Sequence, residues 1–129
     1  MKSISIKFMT EKREGHGEDS APLFLFTDDF CAVGVFDGMG GSGAVMCKSD
    51  LGEHTKAYVA SRIVKDAVEN YIRHKADESI TSTIDAEGIK QTAKSRLEQE
   101  KRCFPAKASG LRSRLVRDYP TTLALITSQ

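Results

Sequence analysis

The sequence predicts an α+β fold in which antiparallel strands pack against amphipathic helices. Two nearly continuous apolar runs, residues 23–27 and 30–36, are separated by a short acidic turn and predict a hairpin. Because these runs do not alternate with polar residues, both faces of their strands are expected to be covered. From Val59, pairs of apolar residues recur every four positions, which predicts a helix over 54–75.

The segments around this hairpin and helix have weaker patterns. Alternation of Ile4, Ile6 and Phe8 with polar residues predicts a strand over 3–9, followed by a polar loop. Four glycines in residues 37–43 indicate a sharp turn of the backbone. We expect irregular structure from there to Asp50, with Glu53 close to the start of the helix.

The second half of the chain predicts two further helices and a last strand. Asp85 is a suitable N-cap for a helix over 86–103, and a short amphipathic helix is expected over 110–118. Residues 121–127 predict a strand that is apolar and comes last in the chain. An unpaired strand is unusual at the end of a complete domain. We therefore expect a partial domain over 1–129, whose exposed terminal strand pairs with a C-terminal half or a second copy.

Composition excludes several classes of protein. The 129 residues contain 19 basic and 18 acidic side chains, a net charge of +1, so neither a polybasic nucleic-acid tail nor an acidic solvating chain dominates. Cys31, Cys47 and Cys103 are widely spaced, without the pairs typical of disulfide frameworks or structural zinc sites. No apolar run approaches the length of a membrane span or a signal peptide. We expect a cytoplasmic protein without membrane or nucleic-acid partners.

One heptad, Val35-Phe36-Asp37-Gly38-Met39-Gly40-Gly41, has the composition of a ligand site. It places an aspartate where a buried strand ends and follows it with glycines, which let the backbone approach a ligand closely. A carboxylate with a backbone carbonyl is the oxygen set that Mg²⁺ and Mn²⁺ accept. The heptad alone equally fits a strand-ending Asp-Gly turn.

A second acidic pair, Glu18-Asp19, precedes the hairpin. If the strands run side by side, its carboxylates meet Asp37, and a cation would relieve the repulsion among three negative charges. The alternative is a solvated loop.

Taken in order, these segments resemble a protein family. They are Arg13, Glu18-Asp19, the heptad of residues 35–41, Gly52-Glu53 with Ala60-Ser61, and Thr121-Thr122-Leu123. The combination is similar to the first half of a type 2C metal-dependent protein phosphatase, of the PPM family. The resemblance implies the N-terminal half of a four-layer α/β/β/α sandwich with antiparallel sheets.

The resemblance also implies a site. A binuclear Mn²⁺ or Mg²⁺ centre would be bridged by Asp37, with the Gly38 carbonyl and Glu18 as further metal ligands and Asp19 holding metal-bound water. Arg13 would bind phosphate. The metal pair would activate water for attack on phosphoserine or phosphothreonine in a phosphoprotein substrate.

The sequence departs from the family pattern at several points. Arg13 is one residue farther from Glu18 than the usual phosphate-binding arginine, and the usual position holds Glu14. Met39 replaces a histidine proposed as general acid in many members, and His16 is a candidate donor or an ordinary loop residue. The family's later acidic motifs are not found in the 129 residues, so we expect little or no turnover from this chain alone.

Two other functions stay open at this point. A non-catalytic phosphatase-like module would bind a phosphoprotein, a metal or a partner, using the terminal strand as an edge. A nucleic-acid binder would use residues 87–118, which contain nine basic and four acidic side chains. No aromatic residues alternate with those basic ones in the manner of a nucleic-acid surface.

Overall fold

The computed structural model describes residues 6, 8, 10–11, 14–27, 30–77, 84–103, 119 and 121–128. Within these residues the fold is mixed α+β, with antiparallel sheets and two long helices. The elements, in chain order, are β1 (Leu23–Phe26), β2 (Cys31–Gly38), α1 (Gly40–Gly43), β3 (Met46–Ser49), β4 (Gly52–Thr55), α2 (Lys56–Asp77), α3 (Ala86–Cys103) and β5 (Thr121–Ser128).

The larger sheet has the order β1-β2-β5, and both pairings are antiparallel. Strand β2 lies in the middle, with Phe36 opposite Leu123 of β5. Its even-numbered residues, Ala32 to Gly38, are buried and face α2, because side chains alternate along a strand. The core between sheet and helix consists of Leu23, Leu25, Ala32 and Phe36 from the sheet and Val64, Val68 and Ile72 from α2.

The predicted helix over 54–75 is found at Lys56–Asp77. Its start lies two residues later than expected, because Gly52–Thr55 forms strand β4 and not the first helical turn. Thr55 serves as the N-cap, since its Oγ1 accepts a hydrogen bond from the Tyr58 N–H at 3.2 Å. On the exposed side, Glu69 forms ion pairs with Lys65 and Arg73, each four residues away.

Helix α3 has the predicted bounds, 86–103, and the predicted cap. The Oδ1 atom of Asp85 accepts from the Gly88 N–H at 2.6 Å, and its carbonyl accepts from the Ile89 N–H at 3.2 Å. The apolar side chains of Ile89, Ala93 and Leu97 pack against the core.

The region between the glycine turn and α2 is more regular than expected. Strands β3 and β4 form a separate two-stranded sheet, joined by a turn at Asp50 and Leu51. Gly52 has φ of 98°, a conformation that side-chain-bearing residues rarely adopt, and this permits the tight reversal. The prediction of irregular structure up to Asp50 is therefore wrong for Met46–Ser49.

Some predicted elements fall largely outside the described residues. Of the strand predicted over 3–9, only positions 6 and 8 are described. They are not in a strand, and Ile6 and Phe8 are 77% and 83% exposed, so the prediction is wrong at these two positions. The helix predicted over 110–118 lies outside the described residues.

Only one face of the larger sheet is covered by the described helices. On the opposite, outer face, the side chains of Phe26, Val35 and Ile126 are exposed by 56%, 55% and 74%. The expectation of two covered faces is thus met on the helix side only, within the part of the chain described. No described helix is long and apolar enough to cross a membrane.

Candidate functional site

The loop before β1 lies against the C-terminal end of β2. The Ser20 N–H donates to the Phe36 carbonyl at 3.1 Å, and the Gly38 N–H donates to Asp19 Oδ1 at 3.1 Å. Two motifs that are 19 residues apart in the sequence are thereby brought into direct contact.

This contact requires glycine at position 38. A Cβ atom on Gly38 would collide with the Glu18 carbonyl oxygen and lie 2.9 Å from the Ala57 carbonyl oxygen. A Cβ atom on Gly40 would collide with the Glu18 carboxylate. By contrast, a Cβ atom on Gly41 would meet no atom within 4 Å. Gly38 therefore lets the backbone of the acidic loop approach the strand end closely, and Gly40 leaves room for the Glu18 carboxylate in its present position.

Helix α2 holds Glu18 from the other side. The Ser61 hydroxyl donates to the Glu18 carbonyl at 2.5 Å, and the Thr55 hydroxyl donates to Glu18 Oε1 at 2.9 Å. Ser61 is fully buried and lies one turn along the helix from Ala57. The segment Ala60-Ser61, singled out in the sequence, thus supports the acidic loop.

Arg62 is a second support, which the sequence analysis missed. Its guanidinium donates to the carbonyl oxygens of Gly17 at 3.1 Å and Glu18 at 3.4 Å, and its Cζ lies 3.4 Å from the Tyr58 ring centroid. The Tyr58 ring also stacks on His54, with centroids 3.8 Å apart. Arg62 lies outside the repeating pairs of apolar residues that predict this helix, so that pattern gives no indication of its contacts. The spacing of His54, Tyr58 and Arg62 at every fourth residue is the signal that indicates a stacked row.

Asp37 is placed differently from Glu18. Strand β2 extends through Gly38, because Asp37 pairs with Thr122 of β5, so the aspartate lies within the strand and not after it. Alternation then exposes its side chain on the outer face, away from α2. Its carbonyl accepts from the Thr121 hydroxyl at 2.8 Å, which brings the Thr121-Thr122 segment to the same strand end.

The described residues do not bring the three carboxylates together, and the metal site that the resemblance implies stays a prediction. Among them, no group of three or more His, Cys, Asp and Glu side chains could hold a metal ion. Glu18 and Asp19 accept hydrogen bonds from Thr55 and Gly38, and the Asp37 side chain points to the opposite face of the sheet. Since Mg²⁺ needs near-octahedral oxygen coordination, this arrangement does not fit such an ion.

The other candidates contribute less to this site. Arg13 lies outside the described residues. His16 is exposed in the loop, and Met39, 36% exposed, follows Gly38.

A second cluster of titratable side chains, Cys47, Lys56 and Glu100, lies around Tyr119, away from the acidic loop. Burial raises the pKa of the Cys47 thiol, against the lowering effect of its hydrogen bond with Tyr119 and of the charge of Lys56. Glu100 is 5% exposed, and its Oε1 atom has no hydrogen-bond partner. A thiol with a raised pKa is a poor nucleophile near neutral pH.

Comparison of the chain with protein-family models, curated proteins and solved structures gives no match.

Proposed function

We propose that this protein is a metal-dependent serine/threonine phosphatase of the type 2C kind. One observation carries the proposal: the separate segments on which the resemblance depends contact one another at one end of β2. Asp19 accepts from Gly38, Ser61 donates to Glu18, and Thr121 donates to Asp37. A chance similarity of short motifs gives no reason for segments up to 84 residues apart to meet at one strand end.

The same proposal includes a four-layer α/β/β/α architecture. The described residues supply one helix layer packed on the three-stranded sheet, and the exposed outer face of that sheet carries Phe26, Val35 and Ile126. An apolar sheet face is stabilised when a second sheet packs about 10 Å away. The apolar outer face is therefore an argument for a second sheet packed on it in the proposed four-layer domain.

In the proposed enzyme, Asp37, Glu18 and the Gly38 carbonyl would hold Mn²⁺ or Mg²⁺, Asp19 would position water, and Arg13 would bind phosphate. The metal pair would supply activated water and charge neutralisation for attack on a phosphoprotein. Because the described arrangement does not fit the ions, this site needs further acidic ligands and a different placement of Asp37.

A second candidate, a non-catalytic phosphatase-like binding module, is favoured by a separate observation. The Glu18 and Asp19 carboxylates already accept hydrogen bonds from Thr55 and Gly38, so they serve as internal structural acceptors. In such a module, binding to a partner would not depend on Asp37.

The test is hydrolysis of a phosphothreonine peptide by the purified natural gene product, with and without Mn²⁺ or Mg²⁺. The variant is Asp37→Asn, and the matched control is Asp66→Asn, an exposed aspartate on α2. We expect metal-dependent phosphate release that Asp37→Asn abolishes and Asp66→Asn leaves unchanged. Absence of metal-dependent hydrolysis in the natural product would overturn the enzyme proposal.

The binding module gives a different result in a second measurement on the same samples. Retention of an immobilised phosphothreonine peptide by both variants, without phosphate release, would support it. If Asp37→Asn loses both retention of the peptide and phosphate release, the result would support the enzyme instead.

A further inference from the structure

A cavity of about 720 Å³ lies between helix α3 and strand β5, away from the acidic loop. Its lining is largely aliphatic and includes Ile84, Ile89, Ala93, Leu97, Leu123 and Leu125. None of Glu18, Asp19 and Asp37 contributes to it. It is therefore independent of the site in the proposed function.

The cavity follows from how the two elements meet the core. Ile89 and Leu97 of α3 and Leu123 and Leu125 of β5 all pack against the edge of the core cluster, and none of these four is fully buried. The small side chain of Ala93 lies on the helix wall between them. Among the described residues, the space between α3 and β5 is consequently unfilled and has apolar walls.

Positive charge lines the helix side of this cavity. Lys90, Lys94 and Lys101 are among its lining residues, against one carboxylate, that of Glu98. Lys101 Nζ lies 3.3 Å from Glu98 Oε1. Lys90 Nζ lies 3.6 Å from Oε2 of Glu87, a residue that does not line the cavity. Lys90 and Lys94 are one helical turn apart, so their ammonium groups can reach the same anion.

We infer that this cavity binds an unbranched aliphatic carboxylate, with the alkyl chain against the apolar wall and the carboxylate at Lys90 and Lys94. The volume lies within the usual range for small-molecule sites. A flexible alkyl chain matches walls made of Leu, Ile and Ala side chains, where burial of each methylene is favourable. The lysines supply charge-assisted hydrogen bonds to the head group.

The first experiment is calorimetric titration of the protein with octanoate, decanoate and dodecanoate, each below its aggregation concentration. We expect affinity to increase up to about fourfold for each added methylene that enters the cavity. Dodecanol, which has the same chain length and no charge, should bind more weakly. No binding of dodecanoate, or equal binding of dodecanol, would overturn the inference.

The second experiment tests the lysines directly. The double variant Lys90→Gln/Lys94→Gln should bind dodecanoate about tenfold more weakly, from loss of two charge-assisted contacts, with dodecanol unchanged. Lys48→Gln on β3, an exposed lysine outside the cavity, is the control and should bind as the unsubstituted protein does. Equal dodecanoate binding by the double variant would exclude the proposed head-group position.

Nuclear Overhauser contacts in the unsubstituted protein locate the chain without relying on a variant. We expect contacts from the dodecanoate methylenes to the methyl groups of Leu123 and Leu125. Contacts to Val35 and Ile126 instead would place the ligand on the outer face of the sheet and overturn the assignment to this cavity.

Discussion

Arg62 Nη2 donates a hydrogen bond of 3.1 Å to the carbonyl oxygen of Gly17, a residue 45 positions earlier in the chain. The same guanidinium lies against the Tyr58 ring and reaches the Glu18 carbonyl. Arg62 on α2, together with Ser61, therefore fixes the path of the acidic loop next to β2. The position of Glu18 and Asp19 depends on this helix as much as on the loop itself.

Replacing Arg62 with lysine should destabilise the protein although the charge is kept. An ammonium group cannot donate in the planar fork that serves two carbonyls, and it stacks less well on Tyr58. We expect a loss of about 1–2 kcal/mol in the free energy of unfolding, measured by urea denaturation. Arg73→Lys, at an exposed arginine on the same helix that pairs with Glu69, should change it by less than about 0.5 kcal/mol. Equal effects of the two substitutions would contradict the role of Arg62.

Replacing Gly38 with alanine should separate the acidic loop from the strand end. The added methyl group would collide with the Glu18 carbonyl and crowd the Ala57 carbonyl, and both are backbone atoms that cannot move aside cheaply. We expect a loss of about 2 kcal/mol or more in unfolding free energy, together with faster hydrogen exchange at the Gly38 amide. Gly41→Ala is the control, since its methyl group meets no atom within 4 Å, and it should be close to neutral. A neutral Gly38→Ala would show that the close packing is not present in solution.

The long, strongly periodic elements were the predictable part of this fold. Helices α2 and α3 and the β1-β2 hairpin agree with the sequence predictions to within about two residues, because each carries an apolar pattern that burial enforces. Strands β3 and β4 were missed because Met46–Ser49 and Gly52–Thr55 are short and mostly polar. Their pairing depends on the Gly52 turn and on neighbours, which no local pattern records.

The sequence was sufficient to predict which residues belong to the candidate site, but not how their side chains are arranged. Composition and resemblance pointed to Glu18, Asp19, Asp37 and Gly38, and the structure brings Asp19 and Gly38 into contact. The direction of the Asp37 side chain could not be read from the heptad, because it depends on the β5 pairing that extends β2 by two residues. Once the strand continues through residue 38, alternation places the side chain that follows buried Phe36 on the opposite face.

Glu69 on α2 should stabilise the protein in a pH-dependent way. Hydrogen bonds from Arg73, with a further contribution from Lys65, lower its pKa from the ordinary value of 4.5. A carboxylate whose pKa is lowered in the folded state stabilises above its unfolded pKa, and that stabilisation is lost as pH falls through the folded value. We expect Glu69→Gln to reduce unfolding free energy by about 0.5 kcal/mol at pH 7 and to have no effect at pH 2.5. Asp66→Asn, exposed nearby, should show no such difference, and a constant loss at every pH would contradict the ionic explanation.

Glu100 should show the opposite pH dependence. Burial, followed by repulsion from Asp50, raises its pKa above the ordinary 4.5, and its Oε1 atom is buried without a hydrogen-bond partner. The folded state then binds a proton more readily than the unfolded state, so this group disfavours folding as pH rises from about 4.5 through the folded pKa.

We therefore expect Glu100→Gln to raise the free energy of unfolding at pH 7 by about 1 kcal/mol, because it removes a buried charge that lacks full compensation. The gain should shrink as pH is lowered and vanish below pH 4, where the glutamate is protonated in both states. Thermal unfolding of the two proteins from pH 4 to 8 measures this difference. The neighbouring Glu98→Gln, at a more exposed carboxylate paired with Lys101, is the control and should give no gain at pH 7. A Glu100→Gln protein less stable than the parent at pH 7 would mean that the ionised carboxylate is stabilised in the folded state, and would exclude an uncompensated buried charge.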